Sequence, residues 1–294
     1  MPPTVHVGPE PDGTVEAAIR EAGGEIAPLA EADGLVWVDS NPDSLPEELP
    51  EGVRWVQLPS AGVERWLDRL DRDRQWTTAA PAFGRTVAEH ALTLMLAGTR
   101  RLHEFARART WTRPPIAELA GSTVVIVGTG SIGRALIELL EPFRAEVLAV
   151  TRRGRDGTLP VERLGEVLPR ADFVVIAAPS TDATRHLIGA DELAAMRADA
   201  WLVNVARGAL VDTEALVTAL AEGSIAGAAL DVTDPEPLPD GHPLWSEPRA
   251  LLTPHVATPD TTLMSDLAWL AGEQVKRLVA GEPLLSPVDF DAGY

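Results

Sequence analysis

Cysteine is absent from the 294-residue chain. Its absence excludes disulfides, a thiolate metal site and a cysteine nucleophile, and it fits a reducing compartment. Positive charge is scarce: 25 Lys and Arg stand against 44 Asp and Glu, a formal net charge of −19. A surface this acidic repels nucleic acid and anionic membranes, although a local basic pocket can still hold a small anion. No apolar run reaches the roughly 18 residues that a bilayer span requires. The first residues, MPPTVHVGPEPDG, lack the basic-then-apolar pattern of a signal peptide. The expectation is a cytoplasmic protein acting on a small molecule, with no nucleic-acid or membrane partner and no metal.

Hydrophobic residues make up 45% of the chain, enough for large cores, and the length suggests about two domains. The stretch TVVIVGTGSIGRALIELLEPFRAEVLAVTRR, Thr123 to Arg153, is the most informative. Val124–Val127 read as a buried strand, Ile132, Leu136, Ile137, Leu139 and Leu140 as a helix face, and Val147–Val150 as a second strand. Between strand and helix stand Gly128, Gly130 and Gly133 at the spacing G-x-G-x-x-G, with Ser131 and Ile132 inside it. In a strand–turn–helix setting this is a dinucleotide fingerprint. The first glycine allows the tight turn, the second lets backbone approach a pyrophosphate, and the third lets the helix pack on the strand. The N–H groups at the helix start complete the phosphate site.

Elsewhere, short apolar runs alternate with helical segments. Val5–Val7, Leu35–Val38, Trp55–Leu58 and Trp76–Ala79 read as strands, with helices at Thr14–Ala22 and Val63–Leu70 and a loop at Asn41–Pro50. Val87 to Arg101 reads as a long apolar helix leading into the nucleotide unit. Strands at Phe173–Ala177, Trp201–Val205, Ala226–Val232 and Leu251–Thr253 follow, with helices at Leu187–Met196, Asp212–Glu222 and Asp260–Ala280. The pattern predicts an α/β protein of two doubly wound parallel sheets. The expected organisation is a discontinuous substrate domain, residues 1–93 and 265–294, around a dinucleotide-binding domain, residues 94–264. The run Arg100–Arg113 is basic, with Arg100, Arg101, Arg107, Arg109 and Arg113. It reads as a solvated helix face or as a face for an anionic ligand.

In open α/β sheets ligands sit beyond the carboxyl ends of the strands. Pro179, Val205, Arg207, Asp231, Glu236 and His255 occupy or follow such ends. Hydride transfer to a 2-oxo acid needs a cation for the carboxylate, an acid for the carbonyl oxygen, and a carboxylate to orient that acid. Arg supplies a bidentate fork, His titrates near neutrality, and Glu fixes a histidine tautomer.

The segments NVARGALVDTEAL, DVTDPEPLPDGHPLW and TPHVAT closely resemble the signatures of the D-isomer-specific 2-hydroxyacid dehydrogenase family. GTGSIGRAL, VAEHALTLML and AAPSTDATRHLIGADELAAM resemble it too, in the same order, over roughly residues 52 to 294. The resemblance implies that Arg207 grips the substrate carboxylate and carbonyl. It implies that His255 is the acid in reduction and the base in oxidation, paired with Glu236. It places Asp231 near the nicotinamide carboxamide and gives the loop Ser60-Ala61-Gly62-Val63 backbone N–H groups for the carboxylate. It further implies a nucleotide domain inserted in a substrate domain, a cleft that closes by a hinge, and a homodimer.

Two departures bear on the reading. An NAD enzyme has Asp or Glu after the second strand of the fingerprint unit, to bond the ribose 2′-OH. Here Thr151-Arg152-Arg153 stand there, which favours NADP(H) over NAD(H). The chain ends at Tyr294, without the C-terminal regulatory domain of long phosphoglycerate dehydrogenases. Gly84-Arg85-Thr86 stand where relatives often carry Asn; Arg85 could add a cation for a second anionic group. Phe83 and Trp245 are candidates for the substrate pocket. The leading expectation is an NADPH-dependent reductase of glyoxylate- or hydroxypyruvate-like acids. The alternatives are an NAD-linked dehydrogenase of a D-2-hydroxy acid such as 3-phosphoglycerate, and a cofactor-sensing, corepressor-like binding protein.

Overall fold

A computed structural model describes residues 1–294. In chain order the first elements are β1 (Thr4–Gly8), α1 (Gly13–Glu21), β2 (Glu25–Ile26), β3 (Gly34–Trp37), β4 (Trp55–Gln57) and β5 (Gln75–Thr77). Then come α2 (Ala80–Thr99), α3 (Leu102–Arg107), β6 (Thr123–Val127), α4 (Ser131–Leu140), β7 (Glu146–Thr151) and β8 (Leu159–Pro160). The last are α5 (Leu164–Val167), β9 (Phe173–Ile176), α6 (Ala190–Ala195), β10 (Trp201–Asn204), α7 (Thr213–Glu222), β11 (Gly227–Leu230), α8 (Pro243–Ser246), β12 (Ala250–Leu252) and α9 (Asp260–Ala280).

The chain forms two compact units, one of Met1–Phe83 with Thr258–Tyr294 and one of Gly84–Ala257. The first division falls inside α2 and the second just ahead of α9, where the sequence suggested divisions after residues 93 and 264. A division inside a helix such as α2 leaves no loop for composition to mark.

The first unit holds a parallel sheet in the order β2-β1-β3-β4-β5. Val5, Val7, Val15, Ile19 and Val36 join Ala268, Ala271 and Val275 of α9 in one buried cluster. Leu35, Val56, Leu58, Trp66 and Trp76 form another. The second unit holds a seven-stranded parallel sheet, β12-β11-β10-β9-β6-β7-β8. Its inner strands are apolar throughout, as burial on both faces demands: β9 and β10 are buried at every residue. β6 lies between β7 and β9, so the strand order reverses there and opens the crevice in which doubly wound folds bind ligands.

Three local expectations change. Val63–Leu70 is not an α-helix; Trp66 N–H donates to Val63 O and Arg69 N–H to Trp66 O, closing i,i+3 turns around a 3₁₀ segment at Leu67–Arg69. α2 begins at Ala80 rather than Val87, because Pro81 is tolerated in a first turn. The basic run does not form one helix face: Arg101 has φ 49°, which breaks the chain between α2 and α3, and no regular element follows Arg107 until β6.

Candidate active site

The register of the second sheet aligns the strand ends. Val150 pairs with Val127, Val127 with Ile176, Ile176 with Asn204, Asn204 with Leu230, and Leu230 with Leu252. Six adjacent strands, about 4.8 Å apart, therefore finish in one row. Beyond that row come Arg152, Gly128, Pro179, Arg207, Asp231 and His255, so the fold brings the expected residues of this unit to one edge.

Gly128 has φ +100°, and a Cβ there would meet the Ala177 carbonyl oxygen at 2.5 Å. A Cβ at Gly133 would meet the Gly128 oxygen at 2.0 Å. These two glycines are required by the protein's own packing. Gly130 differs: a Cβ there would meet no protein atom within 4 Å. The protein's own packing does not require glycine there. No side chain caps α4, so the N–H groups of Ser131 and Ile132 face the same opening without a capping acceptor. These residues fit a dinucleotide pyrophosphate.

Past β7, Thr151 Oγ1 lies 2.7 Å from Thr158 Oγ1 and accepts the Gly154 N–H at 3.2 Å, which folds the loop back on itself. The Arg152 and Arg153 side chains are exposed, and neither has a hydrogen bond or ion pair. Pro179 is exposed and Val205 buried beside the row.

Asn204, fully buried, shapes the Arg207 turn: its Nδ2 donates to Arg207 O at 2.9 Å and its Oδ1 accepts the Ala206 N–H at 3.1 Å. Gly208 then lets this turn press against the neighbouring loop. A Cβ at Gly208 would lie 1.9 Å from the Thr233 carbonyl carbon, three residues before Glu236. Glu236 Oε1 meets His255 Nδ1 at 2.6 Å, and its Oε2 accepts the Thr233 N–H at 3.4 Å. The pair is about half exposed, with side-chain exposures of 51% for His255 and 40% for Glu236, so it adds little to stability. Its effect is on tautomer and orientation: Nδ1 carries the proton, and Nε2 is left for other chemistry. His255 sits at φ 53° with its N–H on the Asp231 oxygen at 2.8 Å.

Asp231 is 2% exposed and anchors this edge. Its Oδ1 accepts Thr253 Oγ1–H at 2.5 Å and the Val256 N–H at 3.0 Å, and Oδ2 accepts the Ala257 N–H at 3.1 Å. His90 Nε2, from α2, lies 3.2 Å from Oδ1 and 3.0 Å from Thr253 Oγ1. Burial raises the Asp231 carboxyl, but donors from His90, Thr253 and the Val256 N–H outweigh it and hold the group below the usual aspartate range. A carboxamide placed here shares oxygens that already accept protein donors.

His90 and Asn204 were missed by reading the sequence. Each had a signal: a lone polar residue on an otherwise apolar face, in VAEHALTLML and in WLVNVA. In the first unit, Ser60 Oγ donates to Gly62 O at 2.7 Å and accepts the Trp66 Nε1–H at 2.9 Å. The Ser60 hydroxyl is thus used within its loop, and the Ala61 and Gly62 N–H groups have no acceptor in the protein. Trp245 is 51% exposed, its Nε1–H on Pro239 O at 3.1 Å. Phe83 is buried.

The model of the D-isomer specific 2-hydroxyacid dehydrogenase NAD binding domain matches residues 92–257. A glyoxylate reductase of Thermofilum pendens is 40% identical over 67% of this chain and 62% of its own length. A glyoxylate/hydroxypyruvate reductase A of Klebsiella pneumoniae is 33% identical over 85% of each chain. The crystal structure of a D-isomer specific 2-hydroxyacid dehydrogenase from Xanthobacter autotrophicus Py2, in complex with NADPH and MES, superposes with a TM-score of 0.83 at 28% identity over the whole of both chains. Fold, fingerprint and relatives agree: the chain belongs to the D-isomer specific 2-hydroxyacid dehydrogenase family.

Proposed function

We propose that the protein uses NADPH to reduce a small 2-oxo acid of the glyoxylate or hydroxypyruvate class to its D-2-hydroxy acid. The observation that carries this reading is the His255–Glu236 pair, 2.6 Å apart, on the same strand edge as the dinucleotide turn. When bound, the reduced nicotinamide supplies the hydride. The Arg207 guanidinium holds the substrate carboxylate as a bidentate fork. His255 gives a proton from Nε2 to the carbonyl oxygen, while Glu236 keeps the other ring proton on Nδ1. In oxidation the same imidazole takes the proton back.

Two unpaired guanidiniums, Arg152 and Arg153, support NADPH, since they match a 2′-phosphate and no carboxylate stands there to bond a 2′-OH. The NADPH complex of the Xanthobacter relative agrees with this choice. A homodimer is also proposed: after α3 the chain exposes Trp111 at 97% and Ile116 at 49%, apolar surface of the kind a second copy would cover. The deciding experiment follows absorbance at 340 nm with a panel of 2-oxo acids and both cofactors. Turnover of glyoxylate or hydroxypyruvate with NADPH is expected. Tight cofactor binding without turnover of any acid would instead indicate a cofactor-sensing protein.

A further inference from the structure

The dinucleotide turn, Gly128 to Gly133, contains no basic side chain. A pyrophosphate lying there would meet backbone N–H groups and the positive end of the α4 dipole, with Arg134 the next basic residue along α4. α2 adds a further cation. A Cβ at Gly84 would lie 2.7 Å from Ser131 Cβ and 2.9 Å from the Ser131 carbonyl carbon. The second position of this contact, Ser131, is the first residue of α4. α2 therefore touches the phosphate turn at a point where only glycine fits. The next residue is Arg85, whose Cα stands one peptide away, about 3.8 Å. Its side chain is exposed and has no hydrogen-bond or ion-pair partner.

The geometry points to Arg85 as a ligand of the cofactor diphosphate, common to NADPH and NADH, rather than of the substrate. Gly84 fixes the starting point of the side chain against the turn, and an arginine extends well beyond one Cα–Cα spacing. Charge supports the assignment: in a chain of net charge −19, an unpaired cation beside the turn stabilises a phosphate there. The assignment separates two arginine functions. Arg85 acts on the part shared by both dinucleotides, whereas Arg152 and Arg153 act on the 2′-phosphate that distinguishes them. It rests on the dinucleotide reading above.

Binding is read by titrating tryptophan fluorescence of the full-length protein with NADPH and, separately, NADH. Arg85→Ala should weaken both by the same factor, roughly tenfold, the scale of one charge-assisted hydrogen bond. Arg85→Lys should restore most of that loss, because a point charge still pairs with phosphate. The KM for the 2-oxo acid at saturating cofactor should not move. An exposed substitution of this kind alters folding stability little, which a thermal melt verifies. Unchanged dissociation constants for both cofactors, or a loss confined to the KM of the acid, overturns the assignment and leaves the proposed reaction standing. Failure of the unsubstituted protein to bind either dinucleotide overturns both.

Discussion

His255 Nδ1 and Glu236 Oε1 stand 2.6 Å apart, joining the loop after β12 to the loop after β11. The contact leaves Nε2 as the ring atom available to a substrate. His255→Gln should lower kcat by about 100-fold or more, the contribution usual for general acid catalysis, with dinucleotide binding retained. Glu236→Gln should cause a smaller loss, in kcat rather than in cofactor affinity, because the acid survives but its orientation is less firmly set. Full activity in His255→Gln would remove the histidine from the reaction.

Cofactor choice rests on the loop after β7. Arg152→Asp should weaken NADPH binding by roughly tenfold or more, given about 1.5–3 kcal/mol for a charge-assisted hydrogen bond. The new carboxylate can bond a ribose 2′-OH, so NADH should gain. Comparing kcat/KM for the two cofactors in both proteins gives the answer. A clear NADH preference before substitution would refute the role of these arginines.

Gly208 is the closest packing point between the Arg207 turn and the Glu236 loop. A methyl group there would lie 1.9 Å from the Thr233 carbonyl carbon, so backbone must move. Gly208→Ala should lower stability by about 1–3 kcal/mol, as overpacking does, and should reduce kcat as Arg207 and Glu236 shift. Denaturant midpoints and steady-state rates measure the two effects; a variant as stable and active as the parent contradicts the close approach.

The depressed Asp231 carboxyl sets the sign of one pH effect. A group held below its ordinary value contributes stability in full when the pH is above that value, and the contribution is lost as the pH falls towards the folded one. With aspartate ordinarily near 3.9, the loss belongs to the range around and below about pH 4. Asp231→Asn lacks this titration, so its Tm, although lower at neutral pH, should fall less on acidification. Parallel acid dependence in both proteins would assign the effect to other carboxylates.

Trp111 tests the proposed homodimer. Sedimentation should show a dimer whose dissociation constant rises in Trp111→Ser, by an amount typical of an interfacial aromatic anchor, at least about 2 kcal/mol. A monomer at all concentrations, or an unaffected dimer, contradicts it.

Composition and local pattern already determined much about this protein. The buried-type strands, the glycine turn before Ile132 and the alternation of strand and helix follow from short-range periodicity, and both parallel sheets were legible from them. The pairing of Glu236 with His255 was expected from the resemblance of their segments, and the two meet at 2.6 Å. Tertiary structure alone decided the rest. Only the sheet register puts Asn204, Leu230 and Leu252 in one row, and only then do residues 207, 231 and 255 share an edge. His90 reaches Asp231 across 141 positions of sequence, Gly208 meets Thr233, and Gly84 meets Ser131. Those approaches depend on how strands and helices stack, which no local periodicity encodes. The 3₁₀ turn at Leu67–Arg69 and the early start of α2 show the same limit, since hydrogen-bond closure and packing overrode the apolar spacing.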